Sequence, residues 1–325
     1  MIQILILILF FFLSFNLIKK LKNSLSNQID FNDKFIVISG CDSGLGYQLA
    51  IELDQQGFHV IAGLLNYQQN HKEFNKKLSS NSFVYQLDLT KEEQIQEFYQ
   101  QVYKRTDYLF ALINNSGIMI NACIDWTPLE IYRKVMEINY FGHVYLTKLF
   151  LPLLIKRKNS KLINIISAAG FFTFPFTSAY SSSKSAMKSF SDCLRREMSP
   201  WNLNVSIIEP GALKTPMMNI YQQTWIDHWN QLTIDVQQRW GKNYFEKNLE
   251  KIQKHQWIIG KNAFDQVIQT IKQILIQQNY SLRFRPDWQS QLIFLFLYLS
   301  PTWFSDRIIS LLWNEIPQDL LIIKN

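Results

Sequence analysis

Between Lys34 and Ile208 the chain alternates short runs of consecutive apolar residues with amphipathic segments, and that rhythm limits its folds more than any other feature. Phe35-Ile36-Val37-Ile38, Phe58-His59-Val60-Ile61, Phe83-Val84-Tyr85 and Leu109 to Ile113 are continuous apolar runs, as expected of strands buried on both faces. Leu45 to Gln55, Gln69 to Leu78 and Glu92 to Tyr103 lie between them and read as helices. The rhythm continues with a helix from Ile131 to Ile155, a strand from Leu162 to Ile166, a helix from Ala179 to Met198 and a strand from Val205 to Ile208. A last helix (Asn262 to Gln278) and strand (Ser281 to Arg285) complete the series. Strand and helix in strict alternation predict an α/β fold: a single-domain doubly wound parallel sheet, the Rossmann fold, over residues 34–290.

The two ends have a different character. Residues 1–18 carry only Gln3, Ser14 and Asn16 as polar side chains, long enough to span a bilayer, and Lys19, Lys20 and Lys22 follow at once. A cleaved signal would place its positive charge before the apolar run and small residues after it, so an uncleaved anchor is predicted. The flanking lysines put the remainder of the chain on the cytosolic side of a membrane, expected to be the endoplasmic reticulum. Residues 19–33 read as a polar linker and 291–325 as an apolar helical extension, with Trp303 and Trp313 suited to a headgroup boundary, a dimer contact or core packing. The net charge of +7 comes with no nucleic-acid motif, so no nucleic-acid partner is expected. Cys41, Cys123 and Cys193 are widely separated and form no metal-ligand spacing, which predicts reduced thiols and no structural metal.

Two local patterns carry chemistry. The first strand runs into Gly40-Cys41-Asp42-Ser43-Gly44-Leu45-Gly46 and then a helix, an arrangement in which glycines let a pyrophosphate approach main-chain N–H groups at a helix N-terminus. The second is Tyr180-Ser181-Ser182-Ser183-Lys184, which sets a phenol and an ammonium on one helix face. A phenol titrates near pH 10 and accepts a proton poorly at neutral pH unless a positive charge favours its ionised form, and Lys184 is positioned in sequence to supply one.

Together with Asp88, Asn114-Asn115-Ser116-Gly117, Asn139, Ser167 and Pro210-Gly211, these motifs occur in the order seen in short-chain dehydrogenases/reductases. Over residues 30 to 290 the chain resembles that family, and Phe190-Ser191-Asp192-Cys193-Leu194-Arg195 and Glu209-Pro210-Gly211 resemble its branch of retinol, hydroxysteroid and D-3-hydroxybutyrate dehydrogenases. The resemblance implies hydride transfer with Tyr180 as general acid/base. Lys184 would lower its pKa and hold the cofactor ribose, Ser167 would bond the substrate oxygen, and Asn139 would hold a water relaying protons to Lys184. It further implies a nicotinamide cofactor held by Gly40, Asp42, Ser43, Gly44, Leu45, Gly46, Asp88, Asn115, Gly117, Tyr180, Lys184, Pro210, Gly211 and Thr215, with Asn114 shaping the sheet centre.

NAD is expected rather than NADP, because Gly63-Leu64-Leu65-Asn66 offers no cation for a 2′-phosphate and Asp42 would repel one. Residues 217–257, rich in Trp, Gln and Met, would cover the substrate as a lid and suit a lipophilic alcohol or carbonyl such as a retinoid or hydroxysteroid. A small hydroxy acid of the 3-hydroxybutyrate type is the enzymatic alternative, and an idle nucleotide-binding scaffold the other. A homodimer is possible.

Overall fold

A computed structural model describes residues 31, 33–213, 217–253, 261–277, 282–312 and 317. The expected anchor, residues 1–18, lies outside the described residues, as does the linker apart from 31 and 33.

Seven parallel strands form one sheet in the order β3-β2-β1-β4-β5-β6-β7. They are β1 (Phe35–Ser39), β2 (His59–Leu64), β3 (Phe83–Gln86), β4 (Ala111–Asn114), β5 (Lys161–Ile165), β6 (Asn204–Ile208) and β7 (Arg283–Phe284). The order reverses between β1 and β4, where a doubly wound sheet opens a crevice beyond its strand ends. The helices flanking the strands through β6 are α1 (Gly44–Gln55), α2 (Tyr67–Asn75), α3 (Glu92–Tyr103), α4 (Leu129–Met136), α5 (Gly142–Ile155) and α6 (Ser178–Glu197). After β6 come α7 (Met217–Gln231), α8 (Ile234–Trp240), α9 (Lys242–Gln253) and α10 (Lys261–Ile276), then, past β7, α11 (Leu295–Leu299) and α12 (Thr302–Leu312).

Side chains alternate across the strands into two cores. Ile36, Ile38, Val60, Ala62, Ile113 and Ile163 meet Leu49, Leu53, Val267 and Ile271 from α1 and α10 on one face. Val37, Ile61, Leu112, Leu162 and Val205 meet Phe98, Leu146, Phe150 and Leu194 from α3, α5 and α6 on the other. Burial on both faces accounts for the continuous apolar runs.

The sequence predicts one regular helix from Ile131 to Ile155; the structure interrupts it with a π-helical turn at Glu137–Phe141 between α4 and α5. The extra residue in this turn brings the Asn139 side chain inward, where it bonds the main chain of Ile118 in both directions at 2.9 Å. The stretch Leu129–Ile155 is long and apolar enough to cross a membrane by composition, yet it packs against the sheet as a core helix. Around position 290 the chain is continuous helix from Trp288 into α11, and Phe294 and Leu297 bury against Phe171 and Phe172. The start of the expected extension therefore packs on the turn that follows β5.

Candidate active site

The turn after β1 is built by glycine. Gly40 and Gly44 adopt φ of 70° and 64°, left-handed values that strain any side chain. A Cβ on Gly40 would stand 2.8 Å from the Ser116 Cα, and one on Gly46 2.3 Å from the Gly40 carbonyl oxygen. The loop after β4 thus presses directly on the turn. Ser43 sits at the N-cap of α1 without bonding the helix through its side chain, Leu45 is buried in the core, and the first turn holds no acidic residue. Unopposed N–H groups at such a terminus favour an anion.

Asn115 serves this turn: its amide donates to the main-chain oxygens of Ser39 and Gly40, both at 2.9 Å. Asn114 is buried at the sheet centre, donating to Thr147 Oγ1 at 3.0 Å and Asn164 Oδ1 at 2.8 Å. Asp42 reaches from the glycine turn to the end of β2, where its carboxylate accepts the N–H groups of Leu65 (2.8 Å) and Asn66 (2.7 Å). The acid missing from Gly63-Leu64-Leu65-Asn66 is supplied there by the neighbouring loop. Asp88 caps the turn ahead of α3, accepting from Thr90 N at 2.9 Å and Thr90 Oγ1 at 2.7 Å, with Lys91 3.6 Å away.

Across the crevice, Ser167 follows β5 at the cap of a short 3-10 turn, and Tyr180 and Lys184 lie one turn apart on α6. Lys184 is buried, donates to the Ile165 carbonyl oxygen at 3.2 Å, and stands 5.7 Å from the centre of the Tyr180 ring. Asn139 is buried too, and its amide also donates to Ser183 Oγ at 3.0 Å. A Cβ on Gly117 would lie 3.3 Å from Asn139 Oδ1 and 3.4 Å from Lys184 Nζ, so this loop passes close beside both side chains. Beyond β6, Pro210 accepts the Ala168 N–H at 2.8 Å and Gly211 donates to Asp287 at 2.7 Å. Thr215 lies outside the described residues.

The electrostatics differ from the expectation that Lys184 lowers the Tyr180 pKa. Burial pushes the phenol up to about 12, with a hydrogen bond to Ser167 as the opposing influence. Burial also brings Lys184 down to about 8. Burial is the largest cause of both shifts, with the ammonium 5.7 Å from the ring centre. The Asn139 side chain is engaged by Ile118 and Ser183, and its main-chain carbonyl faces His143 Nδ1 at 3.3 Å.

Sequence reasoning passed over Asp287, Gln289 and His143, and used Glu209 only as part of a motif. Glu209, fully buried, pairs with Arg283 at 3.2 Å and lies 2.9 Å from Arg285, bracing the end of β6. Asp287 and Gln289 close on Gly211 and Ala212. His143, one turn past Asn139, is buried behind the site. The lid aromatics Trp225, Trp229, Trp240 and Tyr244 converge on Trp126 with ring centres 4.8–6.2 Å apart, a packed cluster tied down by Arg239 and Trp240, which both donate to Asp125 at 2.9 Å.

The profile of the short chain dehydrogenase family matches residues 34–225. This chain belongs to that family. Its members are oxidoreductases acting on CH–OH groups, and the branch expected from the sequence is the one matched. The chain is 37% identical over 225 residues to estradiol 17-beta-dehydrogenase 2 of Mus musculus, a match spanning 66% of this chain and 58% of that relative's length. It is 31% identical over 269 residues to retinol dehydrogenase 5 of Mus musculus, covering 81% of this chain and 84% of the relative. A short-chain dehydrogenase from Streptomyces avermitilis shares the fold with a TM-score of 0.69 at 21% identity, over 88% of this chain and 98% of that one.

Proposed function

We propose that the protein transfers a hydride between NAD(H) and a lipophilic alcohol or carbonyl of the retinoid or hydroxysteroid kind, with Tyr180 as general acid/base. The observation that carries this reading is the convergence of Ser167, Tyr180, Lys184, Asn139 and Gly117 on one crevice at the reversal of strand order, opposite a glycine turn shaped for a pyrophosphate. Bound there, the dinucleotide supplies the hydride acceptor. The protein's own share is proton handling. In its ionised form Tyr180 takes the proton of the alcohol, Ser167 holds the oxygen on which charge develops, and Lys184 hands the proton on to a water that the Asn139 main-chain carbonyl would hold.

The glycine turn, Gly44 to Gly46, would seat the pyrophosphate, while Pro210 and Gly211 would border the nicotinamide end and Thr215 contact it. Asp88 would border the adenine. Asp42 supports NAD over NADP, because a carboxylate at the end of β2 repels a 2′-phosphate. For the substrate, the helices over 217–253 form a lid with an aromatic interior, and the names of the retinol and estradiol dehydrogenases point to apolar alcohols. The exposed Trp288, Leu292, Phe296, Leu299 and Trp303 beside the site wall favour a protein that works at an endoplasmic reticulum membrane, anchored by residues 1–18 with its catalytic part in the cytosol. The test is NADH formation by detergent-solubilised protein offered all-trans-retinol, 3α-, 11β- and 17β-hydroxysteroids, and 3-hydroxybutyrate. Turnover of an apolar alcohol supports the reading, and turnover of hydroxybutyrate alone refutes it.

A further inference from the structure

Two side chains outside the proposed proton path connect the glycine turn to the helix that carries Asn139. Ser39 closes β1, is fully buried, and through Oγ accepts the main-chain N–H of Asn115 at 3.0 Å and of Ser116 at 3.1 Å. With both acceptor positions used, its hydroxyl has one proton left to donate. The group facing it is Nε2 of His143, 3.5 Å away. On the other side of the ring, Nδ1 lies 3.3 Å from the main-chain oxygen of Asn139. A carbonyl can only accept, so the proton belongs on Nδ1 and Nε2 is bare.

The ring is 1% exposed, and burial, followed by the nearby charge of Lys184, holds its pKa down at about 3. It is therefore neutral at any working pH, with a tautomer set by its two neighbours. Both contacts lie at the long end of the hydrogen-bond range. The elements are the end of β1 with the loop after β4, and the π turn at Glu137–Phe141.

We propose that His143 is a positioning residue: it holds the main-chain carbonyl of Asn139, and with it the π turn beside Lys184, in register with the glycine turn. This rests on the reading of Asn139 and Lys184 as proton-handling groups. A histidine suits the task because one rigid ring offers a donor to one element and an acceptor to the other.

Two variants divide its contacts. His143→Asn keeps an N–H donor at the δ position for the Asn139 carbonyl, while His143→Gln keeps only a polar group at the ε position facing Ser39. We expect kcat for alcohol oxidation in His143→Asn within about threefold of the unaltered protein, and in His143→Gln a loss of about tenfold, the rate equivalent of one lost hydrogen bond. The dissociation constant for NAD and the melting temperature should change little in either. Equal losses in both variants, or losses confined to KM, would overturn the assignment. Ring 15N NMR of the full-length unaltered protein from pH 5 to 9 gives a second answer that needs no turnover. Protonated Nδ1 and bare Nε2 across that range are predicted, and a proton on Nε2, or titration near the ordinary histidine value, would overturn the proposal. Absence of turnover by the unaltered protein would refute the functional reading, and the ring spectrum would still decide the role of His143.

Discussion

Asp42→Asn should weaken the discrimination against NADP without unfolding the turn. The carboxylate accepts Leu65 N–H at 2.8 Å and Asn66 N–H at 2.7 Å, so an amide oxygen retains one of these bonds while the charge disappears. Leu65 is exposed, and the site faces solvent. For a doubly charged 2′-phosphate at a separation of about 6 Å and an effective dielectric of about 40–80, the repulsion removed is roughly 1.5–3 kcal/mol. Salt at physiological strength screens about half of it, leaving on the order of 1 kcal/mol, or about five- to tenfold in relative kcat/KM. The assay is alcohol oxidation with NAD and NADP in parallel, at low and high ionic strength. The NADP-to-NAD ratio should rise about five- to tenfold in the variant, and the gap from the unaltered protein should narrow as salt is added. A ratio that does not move, or moves equally at all salt concentrations, would refute the electrostatic reasoning and assign Asp42 a purely structural part.

Two further outcomes concern stability. Glu209→Gln removes the carboxylate from a fully buried position facing Arg283 and Arg285, and should cost about 3 kcal/mol in denaturant unfolding, since it strands charge at the end of β6; a loss below about 1 kcal/mol would show that solvent already satisfies both guanidinium groups. His143 has a folded pKa depressed from 6.5 to about 3, so the unfolded chain binds the extra proton between those values. Its contribution is present in full above pH 6.5 and is lost as pH falls toward 3. Replacing it with Leu should flatten the stability profile in that window, and an unchanged slope would contradict the neutral buried ring.

The parts legible in the sequence are those fixed by neighbours in the chain. Continuous apolar runs identified β1 through β6 because burial on both faces leaves no polar positions, and the glycine turn was legible because its left-handed residues are specified locally. The Tyr180 and Lys184 pair was legible for the same reason, as four residues on a helix must share a face. What escaped depends on distant contacts. The bonds from Asp42 to the end of β2 form only once strands 1 and 2 pair, although its repulsion of a 2′-phosphate was expected, and the contact of Asn139 with Ile118 joins segments 21 residues apart. Asp287 reaches Gly211 from beyond β7. The sign of the Tyr180 shift also escaped, because spacing along a helix says nothing of desolvation, and here burial sets the shift.

The most direct measurement for the central claim is the single-turnover rate of hydride transfer from an apolar alcohol to NAD by the unaltered protein and by Tyr180→Phe, with NAD affinity measured on both. The account predicts a loss of about 10²–10⁴-fold in the transfer rate with NAD affinity essentially unchanged, and a rate in the unaltered protein that climbs with pH as the phenol ionises. A phenylalanine variant that transfers hydride at an undiminished rate would contradict it.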